Sequence, residues 1–348
     1  MKRQNPYNVM FGVEPPQSIS RVAQMKEVLD SFNAGQSVQS MYLVTGIRGS
    51  GKTVFMTEVS KELSEDKDWI IVNLNSSGNL LEDLAASLAS ENKLALIFRN
   101  AGINLSAFGI GLEIKSKDIV PITSIQVALT KMLESLKKRG RKVLICIDEV
   151  IVTDHMKVFA GAYQILLRQG LPVYLIMTGL YENINSLRNE KNLTFLYRAP
   201  RIELKPLNIT SIALNYKQIF EMDDESATQM ARLTKGYSFA FQVLGYFTWR
   251  HKGDYERAIP DARTYLDEFV YEKVWAEMSA IDRKLAYGVA KSEDGKAKSI
   301  KEITGIKDRD YGVYRDRLVK RGILNGDTRG YLKFALPMFE SYVISNYD

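Results

Sequence analysis

Cysteine and histidine are scarce in this chain, and each scarcity removes a class of chemistry. Cys146 is the only cysteine in 348 residues, so no disulfide can form within the chain. It stands in an apolar run and reads as a small buried side chain rather than a reactive thiol. His155 and His251 lie far apart, and no Cys/His spacing reads as a zinc site. No apolar run approaches the roughly 18 residues of a membrane-crossing helix, so no membrane partner is expected. The basic opening Met1-Lys2-Arg3 leads into no apolar stretch and does not read as a signal peptide, which makes a cytoplasmic location the expectation. Internal repeats and low-complexity tracts are missing too. Excess charge is modest: a net +6 permits an acidic partner such as nucleic acid without demanding one. What remains is an ordinary globular balance, 45% apolar and 25% charged, in a length that fits two or three domains.

The hydrophobic pattern alternates. After a Pro/Gly-bearing lead over 5–16, Val22, Met25, Val28, Leu29 and Phe32 mark one helical face. Short continuous apolar runs then read as buried strands at 41–45, 69–74, 143–147, 173–177 and 202–204. Helical patterns lie near 53–63, 80–90, 122–138 and 157–168. Such alternation predicts an α/β fold, a doubly wound parallel sheet of about five strands covered on both faces. The glycine-bearing stretch 103–114 breaks the pattern and reads as a small hairpin insertion. Strand signals stop after Pro206. The expected division is a core over 1–207, a helical lid over 208–272 and a winged helix over 273–348.

The strongest local signal is Gly46-Ile47-Arg48-Gly49-Ser50-Gly51-Lys52-Thr53, a G-x-x-x-x-G-K-[ST] pattern between a strand and a helix. Glycines let the backbone wrap an anion with its N–H groups, and the helix N-terminus adds its positive dipole end. Lys52 is expected at the β- and γ-phosphates of ATP, and the Thr53 hydroxyl on Mg²⁺. About ninety residues on, the strand 143–147 ends in Asp148 and Glu149. With that strand expected beside the P-loop strand, Asp148 would hold the Mg²⁺ shell and Glu149 would orient or deprotonate the attacking water. Thr178, at the tip of the next strand, reads either as a γ-phosphate sensor or as a cap for the helix near Tyr181. Arg198 and Arg201 read either as arginines facing the nucleotide of a neighbouring subunit, in a nucleotide-dependent homo-oligomer, or as solvated surface residues.

Residues 276–345 pattern as a winged helix. Helices are expected over 280–290 and 308–321, with a shorter one opened by Ser299 as N-cap and Glu302 behind it. A turn over 325–330 and a returning strand over 331–335 follow. Arg309, Arg315, Arg317, Lys320 and Arg321 on the third helix, with Arg329 in the wing, form a candidate surface for duplex DNA. Asp310 and Asp316 dilute it, and residues 273–348 carry 15 Lys/Arg against 11 Asp/Glu. A mixed-charge helix is equally a solvated or protein-binding face.

Together these motifs resemble the AAA+/STAND branch of P-loop ATPases, and more narrowly a group of bacterial ATP-binding proteins related to origin-recognition-type ATPases. The lead from Asn5-Pro6-Tyr7 to Arg21 resembles that group's opening box, with Ser20-Arg21-Val22 standing where Gly-Arg-(Glu/Asp) is usual. That resemblance places Arg21 near the adenine. The segment Thr234-Lys235-Gly236-Tyr237-Ser238-Phe239 resembles a Gly-Gly-Tyr-Pro-Phe lid motif, without the arginine of the usual second sensor. The resemblance implies ATP and Mg²⁺ as ligands and a slow or partner-stimulated ATPase activity. Two roles compete: a switch that acts on DNA, and a signalling ATPase whose lid and winged helix bind protein.

Overall fold

The computed structural model describes residues 4–10, 15–34, 39–110, 122–191 and 193–347. They form two compact units, one of Val22–Thr45 and Lys52–Glu203, the other of Met1–Arg21, Gly46–Gly51 and Leu204–Asp348.

In the first unit, β1 (Met41–Thr45), β2 (Trp69–Asn75), β3 (Lys142–Asp148), β4 (Val173–Gly179) and β5 (Arg201–Glu203) build one parallel sheet in the order β2-β3-β4-β1-β5. All of β1 and β4 is buried, which is why these strands read as unbroken apolar runs rather than as alternation. The flanking helices are α1 (Val22–Asn33), α2 (Lys52–Ser64), α3 (Leu80–Ser90), α4 (Asn92–Asn100), α5 (Ile125–Lys137), α6 (Asp154–Arg168) and α7 (Tyr181–Arg188). Thr153 caps α6 by accepting from the Met156 N–H, one turn before the start expected from its apolar stripe.

Two expectations are corrected. The strand ending in Asp148 does not lie beside the P-loop strand, because β4 stands between β3 and β1. The parallel direction of the strands puts their carboxyl ends on one edge of the sheet, but it does not fix their lateral order. The hairpin over 103–114 is not present in its described part: 103–110 is irregular apart from a 3₁₀ turn at Ser106–Phe108, and 111–114 lie outside the described residues. Ile103 and Leu105 are buried in the core, and Asn104 between them is buried as well.

In the second unit, α8 (Ile209–Phe220), α9 (Asp224–Leu233), α10 (Ser238–Arg250) and α11 (Tyr255–Leu266) pass through a π-helical turn, Asp267–Tyr271, into α12 (Glu272–Ala276). The N-terminal arm packs into these helices. Tyr7 is buried, stacked on Phe220, edge-on to Phe241, and donates its hydroxyl to Asn215 Oδ1 at 2.7 Å. Gly245 makes room for it: a Cβ there would stand 2.6 Å from the Tyr7 ring.

The C-terminal part runs α13 (Ala280–Lys291), α14 (Ala297–Thr304), α15 (Asp308–Lys320), the antiparallel pair β6 (Leu324–Asn325) and β7 (Lys333–Phe334), and α16 (Phe339–Asn346). A bridge between Lys296 and Tyr331 ties the α13–α14 connection to the hairpin. The expected Ser299 cap is corrected. Helix α14 starts earlier, at Ala297, and Ser299 Oγ donates instead to Asp294 Oδ2 at 3.2 Å. The capping box belongs to α13, where Ser279 and Asp282 exchange bonds reciprocally. Asp282 also receives Arg317 of α15, Nε to Oδ1 at 2.9 Å, with its own side chain only 3% exposed.

Asp282 therefore serves a cap and an interhelical ion pair at once. Asp282→Ala is expected to destabilise the protein by about 2–4 kcal/mol, a cap loss plus a stranded and partly solvated arginine. Chemical denaturation checks this, and a loss under about 0.5 kcal/mol, the range of ordinary surface substitutions, would refute the assignment.

Candidate functional site

At the carboxyl edge of the sheet, three neighbouring segments converge on Asp148. Thr53, in the first turn of α2, donates its hydroxyl to Asp148 Oδ2 at 2.6 Å. Thr178, fully buried near the end of β4, donates its hydroxyl to Asp148 Oδ1 in a very short hydrogen bond. The Glu149 N–H donates to the same Oδ1 at 3.0 Å. The strand order explains the convergence, since β4 lies next to β3 and brings Thr178 alongside. The Thr178 carbonyl accepts the Val150 N–H at 2.8 Å, so backbone and side chain of one residue fix both sides of the turn after β3.

Glu149 turns out of the strand with φ 49°, a left-handed conformation that a glutamate adopts only at some cost. Its side chain is exposed, and Ser76 Oγ holds its carbonyl at 3.2 Å. Lys52, the first residue of α2, is 8% exposed, a low value for a lysine. Cys146, within β3, is pushed up to about 12 by burial and by the nearby Asp148 charge, so its thiol stays protonated and inert.

The loop that leads into α2 is described with the second unit. Gly49 and Gly51 take positive φ of 70° and 88°. Three successive loop carbonyls are occupied by donors of that unit. The Tyr237 hydroxyl donates to Arg48 O at 2.6 Å, and the Phe239 N–H to Gly49 O at 3.0 Å. Ser50 O accepts both the Ser238 hydroxyl, at 3.0 Å, and Arg21 Nη2, at 3.1 Å. Burial raises the Tyr237 phenol far above its ordinary pKa, so it remains a donor at any working pH. A Cβ on Gly49 would stand 2.3 Å from the Tyr237 oxygen, so glycine is required there by space as well as by φ. Ile47 also accepts the Ser50 N–H at 3.2 Å, and a Cβ on Gly46 would collide with Ser50 Oγ.

The remaining candidates fall out differently. Arg21 binds the Lys205 and Ser50 carbonyls and Ser238 Oγ, so it braces the loop backbone. Arg201 lies over the Tyr181 ring at 5.4 Å, and Arg198 is exposed at the end of a 3₁₀ turn. On α15, Arg317 is spent on Asp282 and Ser279, and Arg315 bonds Asp316 and the Gly326 carbonyl. Arg321 Nη1 reaches the Glu277 carbonyl at 3.4 Å. Lys320 and Arg329 are exposed. Tyr237 and Ser238 went unassigned in the sequence. The lid-like motif marked their position, but only the fold shows that their hydroxyls face loop carbonyls. Glu277, which pairs with Arg48 at 2.8 Å, carried no signal at all.

Residues 19–169 match the model of a family described as an ATPase domain predominantly from Archaea, and residues 268–343 match a domain of unknown function, DUF8462. Among curated proteins no sequence match is found. Among solved structures, a Walker-type ATPase of Pyrococcus abyssi is similar with a TM-score of 0.67 at 15% identity, covering 94% of this chain and 96% of that one. The ORC2 protein of Aeropyrum pernix, in ADPNP–ADP complexes, is similar with a TM-score of 0.61 at 13% identity, covering 97% of both chains. At such identities the likeness is one of fold. The fold is that of the P-loop ATPases, shared with these two proteins, and the ATPase-domain model covers the segment that carries Lys52, Thr53, Asp148 and Glu149.

Proposed function

We propose that this protein is an ATP-hydrolysing switch that binds Mg-ATP through the loop 46–53. The observation that carries the reading is Thr53 Oγ1 held 2.6 Å from Asp148 Oδ2, a hydroxyl and a carboxylate brought together from segments 95 residues apart. Hard oxygen donors of this kind suit Mg²⁺, which takes one or two protein ligands and completes its shell with phosphate and water oxygens. Thr53 and Asp148 would hold the ion, which when bound offsets charge on the phosphate oxygens.

The chain's own residues supply the rest. Backbone N–H groups of the loop cradle the phosphates, and the Lys52 ammonium neutralises the β- and γ-phosphoryl oxygens. Glu149 accepts a proton from water as the water oxygen bonds to the γ-phosphorus. The bond from that phosphorus to the β–γ bridging oxygen breaks, and ADP leaves. Thr178 keeps Asp148 oriented and is the hydroxyl we assign to sensing the γ-phosphate. Arg198, exposed, is the side chain we assign to a neighbouring copy's nucleotide in a homo-oligomer.

The segment α13–α15 with its hairpin supports a winged-helix reading, and here the alternative gains ground. Arg315 and Arg317 on α15, and Arg321 just after it, are engaged within the protein. Its exposed positions include Arg309, Val313, Asp316 and Lys320, with Val313 64% exposed. An apolar residue beside an acidic one favours a protein partner over a phosphate backbone.

Lys52→Ala is expected to weaken ATP binding by about tenfold or more in a calorimetric titration, the loss of a charge-assisted contact. Unchanged affinity would remove the nucleotide assignment. Glu149→Gln should still bind ATP but release phosphate on the order of 10²-fold more slowly, and equal rates would exclude it as the base. For the partner, fluorescence anisotropy with a labelled duplex at about 150 mM salt should show no binding tighter than about 10⁻⁴ M. Tighter binding that falls steeply with salt, and that Lys320→Ala with Arg329→Ala abolishes, would return DNA to first place.

A further inference from the structure

Arg48 occupies a variable position of the phosphate-loop pattern, where nucleotide chemistry asks for no particular side chain. The structure nevertheless grips it twice. Its guanidinium pairs with Glu277 Oε1 at 2.8 Å, and its carbonyl takes the buried Tyr237 hydroxyl. The neighbouring Ile47 meets the same region, since a Cβ on Gly322 would lie 3.5 Å from Ile47 Cβ. The two C-terminal segments involved are themselves joined, as Arg321 Nη1 bonds the Glu277 carbonyl. Two consecutive loop residues thus rest on one connected structure, the end of α12 and the end of α15. Lys273 also faces Glu277, 3.9 Å from the same oxygen.

We propose that Glu277 is a positioning residue for nucleotide binding: acting through Arg48, it couples occupancy of the phosphate loop to the seating of the C-terminal segment. The proposal rests on the reading that 46–53 binds ATP. A loop that must keep its carbonyls turned outward is sensitive to what holds residue 48. By linkage, whatever the nucleotide gains from the Arg48–Glu277 pair, the pair gains from the nucleotide. A partner that draws Glu277 away therefore loosens the nucleotide, which gives the C-terminal segment a lever on exchange.

The test uses the full chain. Calorimetric ATP titrations compare wild type, Lys52→Ala, Glu277→Lys, Arg48→Glu, and the swapped pair Arg48→Glu with Glu277→Arg. Each single reversal is expected to weaken ATP binding roughly three- to tenfold, the range of a partly exposed ion pair plus repulsion, with melting temperature as a check on folding. The swapped pair should recover most of the loss. Trp275, two residues before Glu277, supplies a second readout. ATP should change its emission, identified by difference from Trp275→Phe, and the change should vanish in Arg48→Glu at saturating ATP. If wild type binds and Lys52→Ala does not, but the reversals leave affinity and emission unchanged, the coupling is refuted while the ATP assignment stands. If reversal weakens binding and the swap restores nothing, the side chains act separately and the coupling is again refuted. If wild type fails to bind ATP, both readings fall.

Discussion

A backbone that offers its N–H groups to a phosphate must find other partners for its carbonyls. Each peptide carries both groups, and a buried carbonyl left unpaired costs about as much as a lost hydrogen bond. In this protein the carbonyls of Arg48, Gly49 and Ser50 are taken by Tyr237, Phe239, Ser238 and Arg21. Much of the second unit follows from that requirement. The residues that open α10 lie against the loop, glycine is compulsory at position 49, and the arm carrying Arg21 is drawn onto the same backbone. Local sequence makes the glycines available, but the distant donors keep the loop in the conformation that the glycines permit.

The legibility of the sequence tracks how local the governing physics is. The strand, loop and helix around 46–53 and the strand that ends at Asp148 could be read because strand, turn and helix signals lie within a few residues of each other. The five strands could be read because a sheet covered on both faces gives its central strands short, nearly continuous apolar runs. Lateral order could not be read. Nothing in 143–148 says that β4 will intervene before β1, and that intervention is what turns Thr178 from an isolated strand-end hydroxyl into a partner of Asp148. Helix α4 escaped for a related reason: it follows α3 after a single residue, Glu91, and two short apolar stripes blur into one another.

The arginines of α15 show the opposite failure. Helical spacing gathers Arg315, Arg317, Lys320 and Arg321 into a cationic group, yet it cannot show which carboxylates and carbonyls the tertiary structure supplies. Asp282 lies 35 residues from Arg317 and Gly326 lies 11 from Arg315. Both contacts convert apparent surface charge into internal architecture. Counting charges along a helix therefore overstates the field it presents, and burial of the acidic partner is the observation that reveals it.

Tyr7 carries a consequence in time. Its phenol ring fills the notch above Gly245 and its hydroxyl meets Asn215, which is synthesised 208 residues later. At ribosomal speeds of about 5–20 residues per second, that arm waits on the order of 10–40 s before its pocket exists. The sheet of the first unit lies entirely within that interval and can be assembled before the helices that enclose Tyr7 are complete. A segment made before the sheet is thus among the last to settle, and until it does so an aromatic side chain remains in water.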